Sequence, residues 1–109
     1  MTATTSRKIA TFWRGVVLPD HLDEAITLFQ DIVARYRDDE PSTEIYAVHL
    51  EAPTTIWLYA LFNDQRALDQ HNRRNDADPR VLAFRGLLSE YDPVHNTTPL
   101  LAKGVATGA

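Results

Sequence analysis

The chain has no cysteine among its 109 residues. Disulfides, thiolate nucleophiles and cysteine-based metal centres are therefore excluded. A cysteine-free composition also fits the cytoplasm, where disulfides are rare. Glycine is scarce, with four in all, and no GxGxxG or Walker pattern occurs. A glycine cradle for nucleotide phosphates is therefore not expected, and no serine or threonine sits in a nucleophile elbow. Basic charge is in deficit: 11 Lys and Arg against 15 Asp and Glu leave a formal charge of −4. That argues against nucleic acid or an anionic membrane as the main partner. No apolar run approaches the roughly 20 residues that span a bilayer. The first apolar stretch, IATFWRGVVL, carries Arg14 and lacks a small-residue cleavage site, so it does not read as a signal peptide. The histidines His21, His49, His71 and His95 show no HxH or HxxxH spacing. No metal site is expected from them.

What is present is the composition of an ordinary globular domain, 44% apolar and 24% charged. One domain is expected over 8–105, with disordered tails at 1–7 and 106–109. Residues 8–17 are rich in β-branched and aromatic side chains and predict a strand. Asp20 is the expected N-cap of a helix with Asp23 and Glu24 in its first turn. Leu22, Ala25, Ile26, Phe29, Ile32, Val33 and Tyr36 give that helix its i, i+3, i+4, i+7 stripe. RDDEPS reads as a charged loop. TEIYAVHLEA and TIWLYALF, joined at Pro53 and Thr54, predict an antiparallel hairpin. A short helix capped by Asn63 or Asp64 carries ALDQHN, and RRNDAD reads as loop. Asp78 and Pro79 predict a further helix start, with its stripe running from Val81 to Tyr91. VHNTTPLLAKGV supplies a candidate last strand.

The order β-α-β-β-α-β, with the second helix broken, predicts an α+β, ferredoxin-like fold with a four-stranded antiparallel sheet. The third strand does not alternate apolar and polar. Ile56, Leu58, Ala60 and Phe62 share one face; Trp57, Tyr59 and Leu61 share the other. Helices cover one face, so a second copy of the chain is expected on the other, as a homodimer. The bland alternative is that the C-terminal segment folds over that face.

Chemistry is expected at His71, whose imidazole can take and return a proton near neutral pH. The competing reading is a core histidine bonded to a backbone carbonyl. Trp13, Tyr46, Trp57 and Tyr59 are candidates for stacking on a planar aromatic ligand, or are simply core and interface rings. Arg14 could meet an anionic ligand oxygen or an acid on a neighbouring strand. His95 could reach a pocket mouth or lie in solvent.

EIYAVHLEAPTTIWLYALFNDQRALDQHNRR resembles the antibiotic biosynthesis monooxygenase domain, a dimeric α/β-barrel family. The marks are an aromatic strand followed by an Ala-Leu-x-x-His helix, here ALDQH. His71 takes the family's histidine. Where that family often has a Glu and a Trp near the end of the third strand, this chain has Ala60 and Phe62. The resemblance implies oxidation of a phenolic, hydroquinone or polyketide aromatic substrate by O₂, without cofactor or metal. It equally admits a non-catalytic binding or stress-related protein, or a polyketide cyclase or isomerase. His71 would be base or anchor, with Trp57, Tyr59, Tyr46, Arg14, Trp13 and His95 shaping the pocket.

Overall fold

The computed structural model describes residues 7–101. Both expected tails lie outside the described residues, Arg7 excepted. The elements run β1 (Ile9–Val17), a 3₁₀ turn (Pro19–His21), α1 (Leu22–Asp39), β2 (Thr43–Glu51), β3 (Thr55–Phe62), α2 (Gln65–Ala77), α3 (Pro79–Arg85), β4 (Leu88–Tyr91) and β5 (His95–Thr97). The fold is α+β with an antiparallel sheet in the order β2-β3-β1-β4. That is the ferredoxin-like order.

β1 is the central strand. It pairs with β3 from Ile9 opposite Phe62 to Val16 opposite Thr55. Its other edge is shared by two short strands. β4 pairs at Gly15–Val17 and β5 at Ala10–Phe12. The fourth position in the sheet is thus filled by two strands with Asp92–Val94 between them: β4, from a segment expected to be helix, and β5, the only strand among the described residues of VHNTTPLLAKGV. The Asp92 N–H donates to the Arg14 carbonyl at 2.9 Å and holds this connection against the sheet.

Four boundaries differ from expectation. Asp20 lies in the 3₁₀ turn and does not cap α1, whose N-cap is His21 with no side-chain cap bond. α1 runs on to Asp39, so only Glu40–Ser42 of RDDEPS is loop. α2 continues through RRNDA to Ala77, because its polar residues find partners: Arg74 donates to the Asp39 carbonyl at 2.8 Å. α3 ends at Arg85, where the Gly86 N–H closes on Leu82 and Phe84 carbonyls. Leu88–Tyr91 is strand, since the Leu18 N–H to Leu87 carbonyl bond (2.8 Å) starts sheet pairing there. Its apolar residues fit a helical period by coincidence.

Two caps were legible and are present. Asp64 accepts from the Ala67 N–H at 2.9 Å, and Asp78 accepts from the Arg80 N–H at 2.9 Å. The core lies between the sheet and the helices. Val17, Ile56, Ala60 and Phe62 of the sheet meet Ala25, Phe29, Ile32, Tyr36, Leu68, Val81 and Phe84. Among the described residues, the other face of the sheet carries no helix.

Asp64→Ala should cost about 1 kcal/mol, a fall of roughly 4–8 °C in Tm. Asp78→Ala should cost more, about 3 kcal/mol, because it also removes the 2.6 Å ion pair of the part-buried Arg35 and leaves it only the longer contact to Glu40. Thermal melts of both variants test the ranking.

Candidate functional site

The helix-facing side of the sheet does not pack fully against the helices. Between them lies a cavity of about 630 Å³. β1 lends it Thr11 and Trp13, and β3 lends Leu58 and Ala60. Phe29, Ile32 and Tyr36 come from α1; His71, Asn72 and Asn75 from α2; Phe84 from α3. Tyr91, Asp92, Pro93 and Val94 stand at one side of it, where β4 gives way to β5.

Trp13 reaches this place because of Gly15. A Cβ on Gly15 would collide with the indole, so glycine lets the ring lie flat along the sheet. The indole meets Phe84 edge-on at 6.0 Å, and Phe84 meets Phe29 at 4.4 Å. These rings make an apolar wall. Within it, Thr11 Oγ1 donates to Asn96 Oδ1 at 2.7 Å across β1 and β5.

His71 is 5% exposed. Its ring sits among Tyr36 (4.7 Å), Phe62 (4.8 Å) and Tyr46 (5.6 Å). Nδ1 is 2.8 Å from Glu40 Oε1, and Nε2 is 3.0 Å from Asn75 Nδ2. The Asn75 oxygen in turn accepts from the Tyr36 hydroxyl (2.6 Å) and from an Arg35 N–H (2.8 Å). Arg35 also donates to Asp78 at 2.6 Å and lies 3.4 Å from Glu40. His71 is thus no histidine tied to a backbone carbonyl. It is the centre of a side-chain network.

The directions of these bonds follow from chemistry. A guanidinium has only donors, so the Asn75 group facing Arg35 must be its oxygen. The Asn75 amide NH₂ then faces His71 Nε2, which must accept. The ring proton is therefore on Nδ1, donated to Glu40. Glu40 lines a second, smaller cavity on the far side of Tyr36 and Tyr46. It touches the larger cavity only through His71.

Burial pushes the Tyr36 hydroxyl up to about 12, partly offset by Asn75 and Arg35. Burial and the neighbouring Tyr36 raise Tyr46 as well. Both phenols stay neutral at physiological pH. For Glu40, burial alone would raise the carboxyl. The hydrogen bond from His71, the Thr43 hydroxyl and the charge of Arg35 outweigh it and hold Glu40 below the usual carboxylate value. Asp78 is buried too, but its bonds from Arg80 and the charge of Arg35 hold it down.

The expected site residues divide between two faces. The structure brings His71, Tyr46 and Trp13 together at the cavity. It places Trp57, Tyr59, Arg14 and His95 on the helix-free face. Register explains this. Trp57 is opposite Arg14, Tyr59 opposite Phe12, and Phe12 opposite His95, so all share a face. There the Trp57 indole N–H donates to Glu51 at 2.8 Å, Tyr59 packs on Phe12 at 5.2 Å, and Arg14 lies 3.4 Å from Asp92. Sequence reasoning missed Glu40, Arg35 and Asn75. Asn75 had a signal, standing four residues after His71 on one helix face. Glu40, inside a stretch read as charged loop, had none.

No protein-family model and no curated protein sequence matches the chain. Solved structures do. A protein from Chloroflexus aurantiacus, provisionally named an antibiotic biosynthesis monooxygenase, is 17% identical, with a TM-score of 0.67 over 91% of this chain and 99% of that one. A Caulobacter crescentus protein of the same provisional name is 14% identical, with a TM-score of 0.74 over 90% and 94%. One from Bacteroides thetaiotaomicron is 17% identical, with a TM-score of 0.72 over 92% and 95%. The chain shares their fold. Among the described residues no helix is long and apolar enough to cross a membrane, and no three His, Asp or Glu side chains gather as metal ligands.

The ionisations set the pH limits of the fold. Glu40 and Asp78 are depressed, so their stabilisation is present above the ordinary carboxylate values. It is lost as pH falls from those values through the lowered ones. Tyr36 is raised, so its contribution is complete below about 10 and is lost as pH rises toward 12. Urea midpoints against pH should fall in both windows. Glu40→Gln should flatten the acid limb and Tyr36→Phe the alkaline one.

Proposed function

We propose that this chain is a cofactor-independent monooxygenase for a phenolic, hydroquinone or polyketide aromatic substrate, using O₂. The observation that carries the reading is an imidazole, bonded to Glu40 at Nδ1 and to the Asn75 amide at Nε2, set into the wall of an aromatic-lined cavity. The volume falls within the roughly 300–1,000 Å³ of small-molecule sites, enough for a compound of two or three fused rings. Trp13, Phe84 and Phe29 offer faces to stack on; Thr11, Asn72 and Asn96 offer polar contacts.

In the proposed reaction His71 Nε2 takes a proton from the phenol. The electron-rich anion passes one electron to O₂, giving a substrate radical and superoxide. These combine to form a C–O bond. The peroxide takes back the proton and loses water, leaving a carbonyl where the substrate had a CH₂. Substrate and O₂ thus become ketone or quinone plus one H₂O. The protein supplies orientation, one base and a water-poor site.

A specific observation favours a second reading, a non-catalytic binding barrel. Nε2 already accepts from Asn75, so a ligand hydroxyl must share or displace that amide. A cyclase or isomerase would use the same base without O₂.

The reading includes a cytoplasmic homodimer, joined through the helix-free face. Phe12 and Trp57 are 47% and 46% exposed there, and Tyr59, Ala47 and Ile45 continue the apolar surface. So large an exposed patch is uncommon on monomers.

Oxygen uptake with a panel of hydroquinones and anthrones tests the reaction. We expect one equivalent of O₂ per product carbonyl. His71→Ala should lower the rate by about 10²–10⁴-fold; full turnover in that variant rules out His71 as the base. In sedimentation at micromolar concentration the chain should run as a dimer and Trp57→Glu as a monomer. A monomeric parent removes the dimer from the proposal.

A further inference from the structure

A histidine hydrogen-bonded to a buried carboxylate is drawn toward the doubly protonated form, because the carboxylate stabilises the imidazolium. In that form it accepts nothing. Glu40 sits 2.8 Å from Nδ1 of His71, so the group that faces Nε2 decides whether that nitrogen donates or accepts.

The charged and titratable groups that bear on the ring are few. Arg35 and Tyr36 come from α1, Glu40 from the α1–β2 turn and Tyr46 from β2; Asp78 lies at the α2–α3 junction. Of the two groups on the nitrogens, Glu40 holds a proton on Nδ1 whatever happens at Nε2. The group at Nε2 is Asn75, which can present either its donor or its acceptor end. Two donors fix its direction: the Arg35 guanidinium at 2.8 Å and the Tyr36 hydroxyl at 2.6 Å both hold the oxygen. Tyr36 could turn and accept instead. Arg35 cannot, since a guanidinium never accepts. Asp78, at 2.6 Å, pins the guanidinium in place.

We propose that Arg35, acting through the Asn75 amide, is the positioning residue that keeps Nε2 of His71 unprotonated beside Glu40. Arg35 does not line the ligand cavity. It acts by dictating which end of an amide meets the ring. A ligand hydroxyl then finds a lone pair, whether the site is an oxygenase or a binding barrel. Only the kinetic half of the test rests on the oxygenase reading.

Asn75→Asp is the deciding variant. It is isosteric and keeps acceptors for Arg35 and Tyr36, but it sets an oxygen against Nε2. Nitrogen-15 imidazole spectra of the full chain at pH 7 should show His71 with one pyrrole-type and one pyridine-type nitrogen in the parent. In the variant both nitrogens should be protonated. A variant ring that stays neutral with its proton on Nδ1 overturns the proposal. In the oxygen assay kcat should fall by about 100-fold or more, with KM unchanged. A protonated ring with undiminished kcat leaves the lock standing and removes His71 as the base. If Asn75→Asp does not fold, Arg35→Lys decides. A single ammonium cannot hold Asp78 and Asn75 together as the fork does, so Nε2 should become partly protonated. An unchanged bare Nε2 in Arg35→Lys overturns the proposal.

Discussion

The Arg35 guanidinium ties together three parts of the chain that the sheet does not. One N–H goes to Asp78 between α2 and α3, another to Asn75 in the last turns of α2, and the fork passes 3.4 Å from Glu40 after α1. The cost is visible: its Nε is buried without a hydrogen-bond partner among the described residues. Leaving one such group unpaired costs about 1–3 kcal/mol. The arrangement persists because the guanidinium lies against Glu40 and shares the buried Asp78 with Arg80. Remove Arg35, and two carboxylates and one amide lose their reference direction at once. The helices could still pack. The polarity of the network at His71 could not be maintained.

That dependence separates what the sequence discloses from what it does not. Periodicity disclosed the sheet, α1 and the hairpin, because each rests on apolar burial with a fixed repeat. It also disclosed His71, since Ala67, Leu68 and His71 mark the buried face of α2. Arg35 and Glu40 follow no repeat. They are polar residues buried by partners distant in sequence, 43 residues apart for Arg35–Asp78 and 31 for Glu40–His71. Taken alone, RDDEPS looks solvated, and most of it is; only Glu40 is buried, through its bond to His71 on α2. The same holds for RRNDAD. Its polar residues suggested loop, and tertiary partners made it helix.

The separation of Trp57, Tyr59, Arg14 and His95 from the cavity has a simpler cause. A strand has two faces, and period 2 says which residues share one without saying which face holds the site. Trp13 and Arg14 are neighbours in sequence yet lie on opposite sides. Gly15 decides the usefulness of Trp13. With a Cβ there, the indole could not lie along β1, and the cavity would lose its largest flat surface.

Cavity and network impose opposite demands on one residue. His71 must be fixed, since its ring is packed by Tyr36, Tyr46 and Phe62 and bonded at both nitrogens. It must also offer a lone pair to an incoming hydroxyl. Rigid packing alone would satisfy the first demand and bury the group uselessly. The amide at Nε2 reconciles them. It satisfies the nitrogen while the cavity is empty, at the modest net gain of one neutral hydrogen bond, about 0.5–1.5 kcal/mol. A phenolic O–H, more acidic than an amide, makes the stronger bond to the same lone pair. Exchange of amide for ligand then favours the ligand, and Asn75 remains held by Arg35 and Tyr36 while it happens. The network keeps the ring in one tautomer through that exchange, which packing by hydrocarbon could not do.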